Sequence, residues 1–169
     1  MIVCETARLR IRHLDAAADA AFLLGLLNEP SFIQNIADRG VRTLEDAGRY
    51  ITAGPIASYA RFGFGLFKAE LEDGTPIGMC GLLKRDWLED ADIGFAYLPQ
   101  FWSKGYAFEA AAAVVAWGRE AKGLTRIVGI TTPHNVGSIR VLEKLGLRFA
   151  RVVRSPEGVE SRLYTPDGR

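Results

Sequence analysis

The stretch of residues 91–110, ADIGFAYLPQFWSKGYAFEA, decides how the rest of this sequence is interpreted. Its first half alternates apolar side chains in the manner of a β-strand, which ends at Leu98-Pro99. A short loop containing Gly105 then leads directly into an alanine-rich helix predicted over residues 106–120. The first N–H groups of a helix have no partner within the helix, and the helix dipole attracts negative charge there. The stretch therefore predicts a main-chain site for a phosphate or pyrophosphate group.

The common nucleotide-binding fingerprints are absent, which narrows the choice of ligand. The sequence contains no GxxxxGK[ST] loop, so a Walker-type phosphate site is excluded. The step Gly63-Phe64-Gly65 lacks a third glycine and precedes a predicted strand, so it does not form a dinucleotide-binding loop.

Three segments together resemble the GNAT superfamily of acetyl-coenzyme A-dependent N-acetyltransferases, and within it the ribosomal-protein alanine N-acetyltransferase-like branch. Residues 102–110, WSKGYAFEA, are similar to the branch's pyrophosphate loop WGKGYAxEA, with Ser103 in place of a glycine. Residues 135–147, NVGSIRVLEKLGL, are similar to its N-x-x-S-x-x-V-x-E-K-x-G-F. Residues 5–12, ETARLRIR, are similar to its E-T-x-R-L-x-L-R. The three segments occur in the family's order and together span nearly the whole chain.

The resemblance implies that acetyl-CoA is the co-substrate and that the main chain holds most of it. Phe95 and Tyr97 would offer main-chain partners to pantetheine in a gap between two strands, and Asn135 would contact the pantetheine amides. An ordinary helix N-cap is the alternative role for Asn135. The pyrophosphate would lie against the loop residues Trp102, Ser103, Lys104, Gly105, Tyr106 and Ala107.

Few side chains are available for catalysis. The resemblance implies that Ser138 assists the departing thiolate, with a backbone-bonded or solvent-facing serine as the alternative. Many family members use a tyrosine seven positions after the asparagine, where this chain has Leu142. Asp92 is a candidate base acting through water, because its ordinary pKa of about 3.9 is too low for direct work on an ammonium group; the alternative is a surface carboxylate at a strand end. Glu109 is expected to complement the helix dipole or to pair locally.

The remaining pattern predicts a single domain over residues 1–169, of the α+β class. The predicted order β-α-α-β-β-β-α-β-α-β-β gives a central mixed, mostly antiparallel sheet flanked by about four helices. The first helix is predicted over residues 16–28 and ends before Pro30, and Thr43 to Asp46 begin the second with a capping-box pattern. The resemblance implies that the sheet is splayed between its fourth and fifth strands.

Composition excludes several classes of protein. A net charge of +1 argues against nucleic-acid binding by bulk electrostatics, and no apolar run approaches the ~20 residues that span a membrane. Cys4 and Cys80 have no metal-ligand spacing, and with His13 and His134 as the only histidines no metal site is expected. The N-terminus has no signal-peptide pattern, so a cytoplasmic monomer or homodimer with reduced cysteines is expected.

The prediction is an acetyl-CoA-dependent N-acetyltransferase that transfers the acetyl group directly to a primary amine, on a protein N-terminus or on a small molecule. The alternative is a non-catalytic acyl-CoA-binding or sensing module, which would explain the lack of an evident base and of the tyrosine. The acceptor is expected to contact residues 32–59, 84–89 and 155–161. Their mixed charges do not identify it.

Overall fold

The computed structural model of the protein describes residues 1–169, which form one eight-stranded sheet and the helices that cover its two faces. The strand order across the sheet is β1-β2-β3-β4-β5-β6-β8-β7. All neighbouring strands are antiparallel except β5 and β6, which are parallel. The predicted mixed, mostly antiparallel α+β sheet is confirmed. The strands are β1 (Ile2–Glu5), β2 (Leu9–Arg12), β3 (Leu66–Leu71), β4 (Pro76–Leu83), β5 (Ala91–Tyr97), β6 (Ile127–Thr131), β7 (Arg148–Arg154) and β8 (Glu160–Thr165).

The helices number five when α3 and α4 are counted as one continuous rod, against the four or so predicted. A π-helical segment, Thr52–Ile56, joins these two, and it contains Pro55, which has no N–H to give to a regular helix. No helix is both long and apolar enough to cross a membrane. The helices are α1 (Ala20–Leu27), α2 (Pro30–Asn35), α3 (Leu44–Ile51), α4 (Ala57–Phe62), α5 (Tyr106–Lys122) and α6 (Val136–Lys144).

The first helical region differs from the prediction at both ends. Asp15 accepts the N–H groups of Ala17 and Ala18 in a turn, so regular helix begins only at Ala20. Pro30 begins α2 as well as following the end of α1, because a proline in the first turn of a helix needs no N–H partner. Strand β1 was not predicted, since its four residues carry no alternating pattern.

The predicted start of the second helix is confirmed in detail. The Thr43 side chain accepts the N–H of Asp46 at 3.0 Å, and the Asp46 carboxylate accepts the N–H of Thr43 at 3.2 Å. This reciprocal capping box supplies partners for N–H groups that the helix itself leaves free.

Two apolar cores lie on opposite faces of the sheet. Helix α5 covers one face, where Phe67, Ile93 and Tyr97 are buried. Helices α1 and α3 cover the other face, where Met79 and Ala96 pack. Because successive side chains of a strand alternate between faces, β5 contributes residues to both cores.

The sheet opens between β5 and β6. These strands pair only through Ala91 with Ile127 and Asp92 with Val128, and β5 then continues to Tyr97 without a partner on that side. Strand β6 pairs with β8 on its other edge. In the predicted numbering these are the fourth and fifth strands, because β1 was not predicted, so the expected splay is confirmed.

Candidate active site

The main chain of β5 faces the gap at alternate residues. The N–H of Leu98 donates to the carbonyl of Ile77 at 3.0 Å, so the antiparallel alternation directs the main-chain groups of Phe95 and Tyr97 away from β4 and toward the gap. The carbonyl of Tyr97 already accepts the Nε1–H of Trp102 at 2.8 Å. Phe95 therefore offers the gap a donor and an acceptor, whereas Tyr97 offers only a donor.

The loop that follows β5 has the backbone geometry of an anion site. Ser103 and Gly105 have φ values of 59° and 84°, in the left-handed region, and Gly105 is the N-cap residue of α5. No side chain caps this helix, and no acceptor in the protein takes the N–H groups of residues 103–108. Consecutive free N–H groups at a helix start form a concave site for an anion. The predicted pyrophosphate loop therefore fits such a group.

Two other helices, α3 and α6, provide a contrast because a side chain caps each of them. Thr43 caps α3, and the Asn135 side chain caps α6 by accepting the N–H of Ser138 at 3.3 Å. The N-cap role that was the alternative for Asn135 is thus present. Its side-chain amide N–H groups have no acceptor in the protein, so they remain free to bind a ligand, and the two roles are compatible.

Ser138 and Leu142 lie on successive turns of α6 but in different environments. Ser138 is partly buried, and its hydroxyl forms no hydrogen bond within the protein. Leu142 is 1% exposed and packs on Gly129 of β6, where a Cβ would approach the leucine side chain to 2.5 Å. The position that other family members give to a tyrosine is therefore used here for core packing, and Ser138 carries the free hydroxyl of this helix.

An ion pair that the sequence did not indicate holds the predicted pyrophosphate loop, residues 102–107, in place. Arg8, just before β2, donates from Nη1 to the carbonyl of Lys104 at 3.0 Å and from Nε to Glu109 Oε1 at 2.8 Å. Its guanidinium also lies 4.4 Å from the centre of the Tyr106 ring. One planar side chain thus contacts the loop, the first residue of α5 and its first carboxylate. The only sequence signal was that Arg8 matches the first arginine of the pattern E-T-x-R-L-x-L-R in residues 5–12.

Glu109 finds its partners at the other end of the chain rather than on its own helix. Thr6 Oγ1 donates to Glu109 Oε2 at 2.6 Å, beside the Arg8 contact. Burial alone would raise the pKa of Glu109, but the hydrogen bonds from Thr6 and Arg8 outweigh it and lower that pKa. Glu109 therefore stays ionised and paired, and its charge is directed toward Arg8.

Asp92 is not the surface carboxylate that the sequence allowed. It is 1% exposed, and Arg85 Nε donates to its Oδ1 at 2.9 Å. Burial raises the pKa of Asp92 above its ordinary value, and the charge and hydrogen bond of Arg85 oppose that rise. By alternation its side chain lies on the face of β5 that α1 and α3 cover, so it is held at the point where β5 and β6 begin to separate.

On the same face, two leucine side chains lie close to Gly94 and also line a pocket. Gly94 pairs regularly with Gly81 and forms no bulge. A Cβ on Gly94 would meet the side chains of Leu83 and Leu66 at 3.1 and 3.6 Å. These two leucines also line a pocket of about 320 Å³, whose opposite wall is Tyr50, the π-helical segment and α4. A larger groove of about 760 Å³ between α1 and α3 contains no residue of β5 or β6.

Trp102 belongs to the loop, and two basic side chains of α6, Arg140 and Lys144, are also of interest. Trp102 is 48% exposed and attached to β5 through its indole N–H. Lys144 Nζ lies 5.3 Å from the centre of the Phe108 ring, next to the first turn of α5, whereas Arg140 is exposed. No group of three or more His, Cys, Asp or Glu side chains is arranged to hold a metal ion.

Comparison with known proteins agrees with this geometry. A family model described as an acetyltransferase (GNAT) domain matches residues 8–148. The uncharacterized protein YkkB of Bacillus subtilis is 28% identical over 153 residues, covering 88% of this chain and 87% of YkkB. An acetyltransferase structure from Agrobacterium tumefaciens superposes with a TM-score of 0.81 at 25% identity, covering 96% of this chain and 92% of that one.

A structure of RimL, a ribosomal L7/L12 α-N-protein acetyltransferase in complex with coenzyme A, shares the fold. Its TM-score is 0.84 at 15% identity, covering 98% of this chain and 97% of that chain. Sequence and structure comparisons therefore lead to the same family.

Proposed function

The chain belongs to the GNAT acetyltransferase family, and we propose that it transfers the acetyl group of acetyl-CoA to a primary amine where β5 and β6 separate. The observation that carries the proposal is that two groups of main-chain N–H and C=O without hydrogen-bond partners lie along the same strand and the helix that follows it. Phe95 leaves a donor and an acceptor in the gap, and the uncapped start of α5 leaves free N–H groups at the end of the same strand. A long ligand with amides and phosphates matches both.

The residues proposed to hold acetyl-CoA divide according to its parts. The N–H groups of residues 103–108 face the pyrophosphate, while Phe95, Tyr97 and the Asn135 amide face the pantetheine. Lys144, beside the first turn of α5, is placed to add a positive charge near the phosphates. RimL, which shares this fold, binds coenzyme A, which supports the assignment.

The chemistry proposed for the site needs only a few groups. When bound, acetyl-CoA supplies an acyl group already activated as a thioester. The N–H of Phe95 can donate to the carbonyl oxygen, where negative charge develops. Asp92, with its raised pKa, can take the proton of the acceptor's ammonium through a water molecule. The free Ser138 hydroxyl can donate to the departing sulfur.

A thiol-release assay with acetyl-CoA over a panel of amines tests this proposal, with the acetylated product identified by mass spectrometry. The expected result is amine-dependent release of coenzyme A. Binding of acetyl-CoA by calorimetry without turnover on any amine would favour the non-catalytic acyl-CoA-binding module instead. Parallel runs with succinyl- and longer acyl-CoA donors rank the acyl chain.

A further inference from the structure

The pocket beside Gly94 is lined by positively charged side chains but by no negatively charged ones. Arg61 and Lys84 contribute to it, and the lining contains no aspartate or glutamate. Neither cation has a carboxylate within 4.0 Å. Lys84 Nζ donates to the neutral carbonyls of Arg85 and Leu88, and the Arg61 guanidinium lies 4.8 Å from the centre of the Phe62 ring. Neither positive charge therefore has an ion-pair partner, although the charge of Lys84 also acts on Asp92.

The charges of two further arginines act on Tyr50, which lines this pocket. Burial raises the pKa of Tyr50, and the nearby charges of Arg39 and Arg85 partly oppose that rise. Arg85 is neutralised by Asp92, but Arg39 forms no ion pair. The excess of positive charge at the pocket therefore extends from α4 to the segment that follows α2.

This excess favours one class of acceptor. A polyamine or an aminoglycoside would bring several ammonium groups against cations that have no ion-pair partner, which is unfavourable in a partly desolvated pocket. A carboxylate on the acceptor would instead form charge-assisted hydrogen bonds with the same groups. The volume of about 320 Å³ is near the lower end of the range for small-ligand pockets, which suits a compact acceptor.

We propose that the acceptor is a small primary amine that carries a carboxylate, as amino acids do, with the carboxylate in the pocket lined by Arg61 and Lys84 and the amine directed past Gly94 toward the gap. This inference rests on the function proposed above and names its substrate class. Leu66 and Leu83 would contact the acceptor between the two positions, since they line the pocket and also lie within 3.6 Å of the point where a Cβ on Gly94 would stand.

The test compares amines that differ in charge but share a similar amine pKa. Initial rates are measured with 5-aminopentanoate, pentylamine and cadaverine, which carry a carboxylate, no second charge and a second ammonium group. A charge-assisted hydrogen bond predicts a kcat/KM about tenfold to hundredfold higher for 5-aminopentanoate than for pentylamine. O-phosphoethanolamine against ethanolamine shows whether a phosphate serves equally well; a preference for the phosphate over every carboxylate would overturn the assignment.

Variants tie the preference to the pocket. Arg61→Gln should raise KM for 5-aminopentanoate about tenfold while leaving pentylamine unchanged, and Arg61→Lys should restore part of the preference. Arg119→Gln, an exposed change on α5, is the matched control. Equal rates for the three amines, or a preference for cadaverine, would overturn this inference and leave the acetyltransferase function standing. Absence of turnover with every amine would refute both.

Discussion

The proposed coenzyme half and the proposed acceptor half of this site are built in opposite ways. The predicted pyrophosphate loop uses main-chain N–H groups set by two left-handed residues, Ser103 and Gly105, at the start of one helix. The acceptor pocket uses side chains from α3, α4, β3 and β4, brought together from residues 50–84. Main-chain recognition requires particular small residues at fixed spacing, so it is visible in sequence. A pocket lined by side chains does not require its residues to be at a fixed spacing in the sequence. What it binds can therefore be inferred only from the charges that the fold brings together.

The largest expected effect is on the coenzyme half. Gly105→Asp places a carboxylate in the proposed pyrophosphate cradle, and like charges in such a site cost several kcal/mol. We expect the Kd for coenzyme A, measured by calorimetry, to rise about 10²-fold or more.

Gly74→Asp is the matched control for this change. Gly74 has a φ of 88°, close to the 84° of Gly105, and has no neighbour within 4 Å of an added Cβ. Both variants therefore carry similar backbone strain, and only Gly105→Asp also brings a Cβ within 3.2 Å of Arg8 Nη2. An unchanged affinity of Gly105→Asp for coenzyme A would show that this loop does not bind the pyrophosphate.

Ser138→Ala should affect the rate more than binding. Loss of a proton donor typically costs ~10²–10⁴-fold, and a good thiolate leaving group places this case at or below about 10²-fold. Stopped-flow single turnovers measure the rate, and calorimetry measures acetyl-CoA affinity. Gly137→Ala, on the same helical turn with open space around it, serves as the control. If the two variants behave alike across the pH range, Ser138 is structural.

The proposed role of Asp92 as a base can be tested from the pH dependence of the rate. Since its pKa is raised, the carboxylate loses its charge as pH falls through a value above the ordinary ~3.9, and a water-linked base would then be lost. The kcat/KM profile at low acceptor concentration should show this limb in the wild type and not in Asp92→Asn. At higher pH both rates should rise until the amine of the acceptor is neutral. If both proteins show the same low-pH limb in the kcat/KM profile, Asp92 is not the base and serves only in its ion pair with Arg85.

The same residue predicts a pH dependence of stability. A folded-state pKa above the unfolded value means that the fold favours the protonated form. The stabilising contribution is complete below the unfolded pKa and is lost as pH rises through the folded pKa. Denaturant titrations should therefore show the wild type losing free energy of unfolding relative to Asp92→Asn across that window. A constant difference between the two proteins would contradict the raised pKa.

The smallest expected effect concerns Arg8, whose side chain connects the start of β2 to the loop. Arg8→Lys keeps the charge but cannot contact the Lys104 carbonyl and Glu109 together, as the guanidinium does. We expect KM for acetyl-CoA to rise by about tenfold or less, with kcat nearly unchanged. Arg10→Lys, on the neighbouring strand residue that pairs with Glu5, is the control. A fall in kcat at constant KM would place the effect of Arg8 in the chemistry rather than in the loop.

Local features of this chain were determined by sequence alone. The capping box at Thr43 and the Asn135 cap depend on hydrogen bonds between residues close together in the chain, and the loop after β5 depends on the positive φ angles of Ser103 and Gly105. Alternation and helical periodicity are likewise local, so the order of most elements followed from them. The family's splay then followed from the resemblance of three segments.

Only the tertiary structure decided the electrostatics of the site. Arg8 and Glu109 are 101 residues apart, and the pocket joins residues from two helices and two strands, so no local pattern could pair them. Asp92 has the same sequence context whether exposed or buried, and only the assembled fold shows that it is buried beside Arg85. Charge and burial are properties of the assembled fold, because they depend on which side chains exclude water from one another.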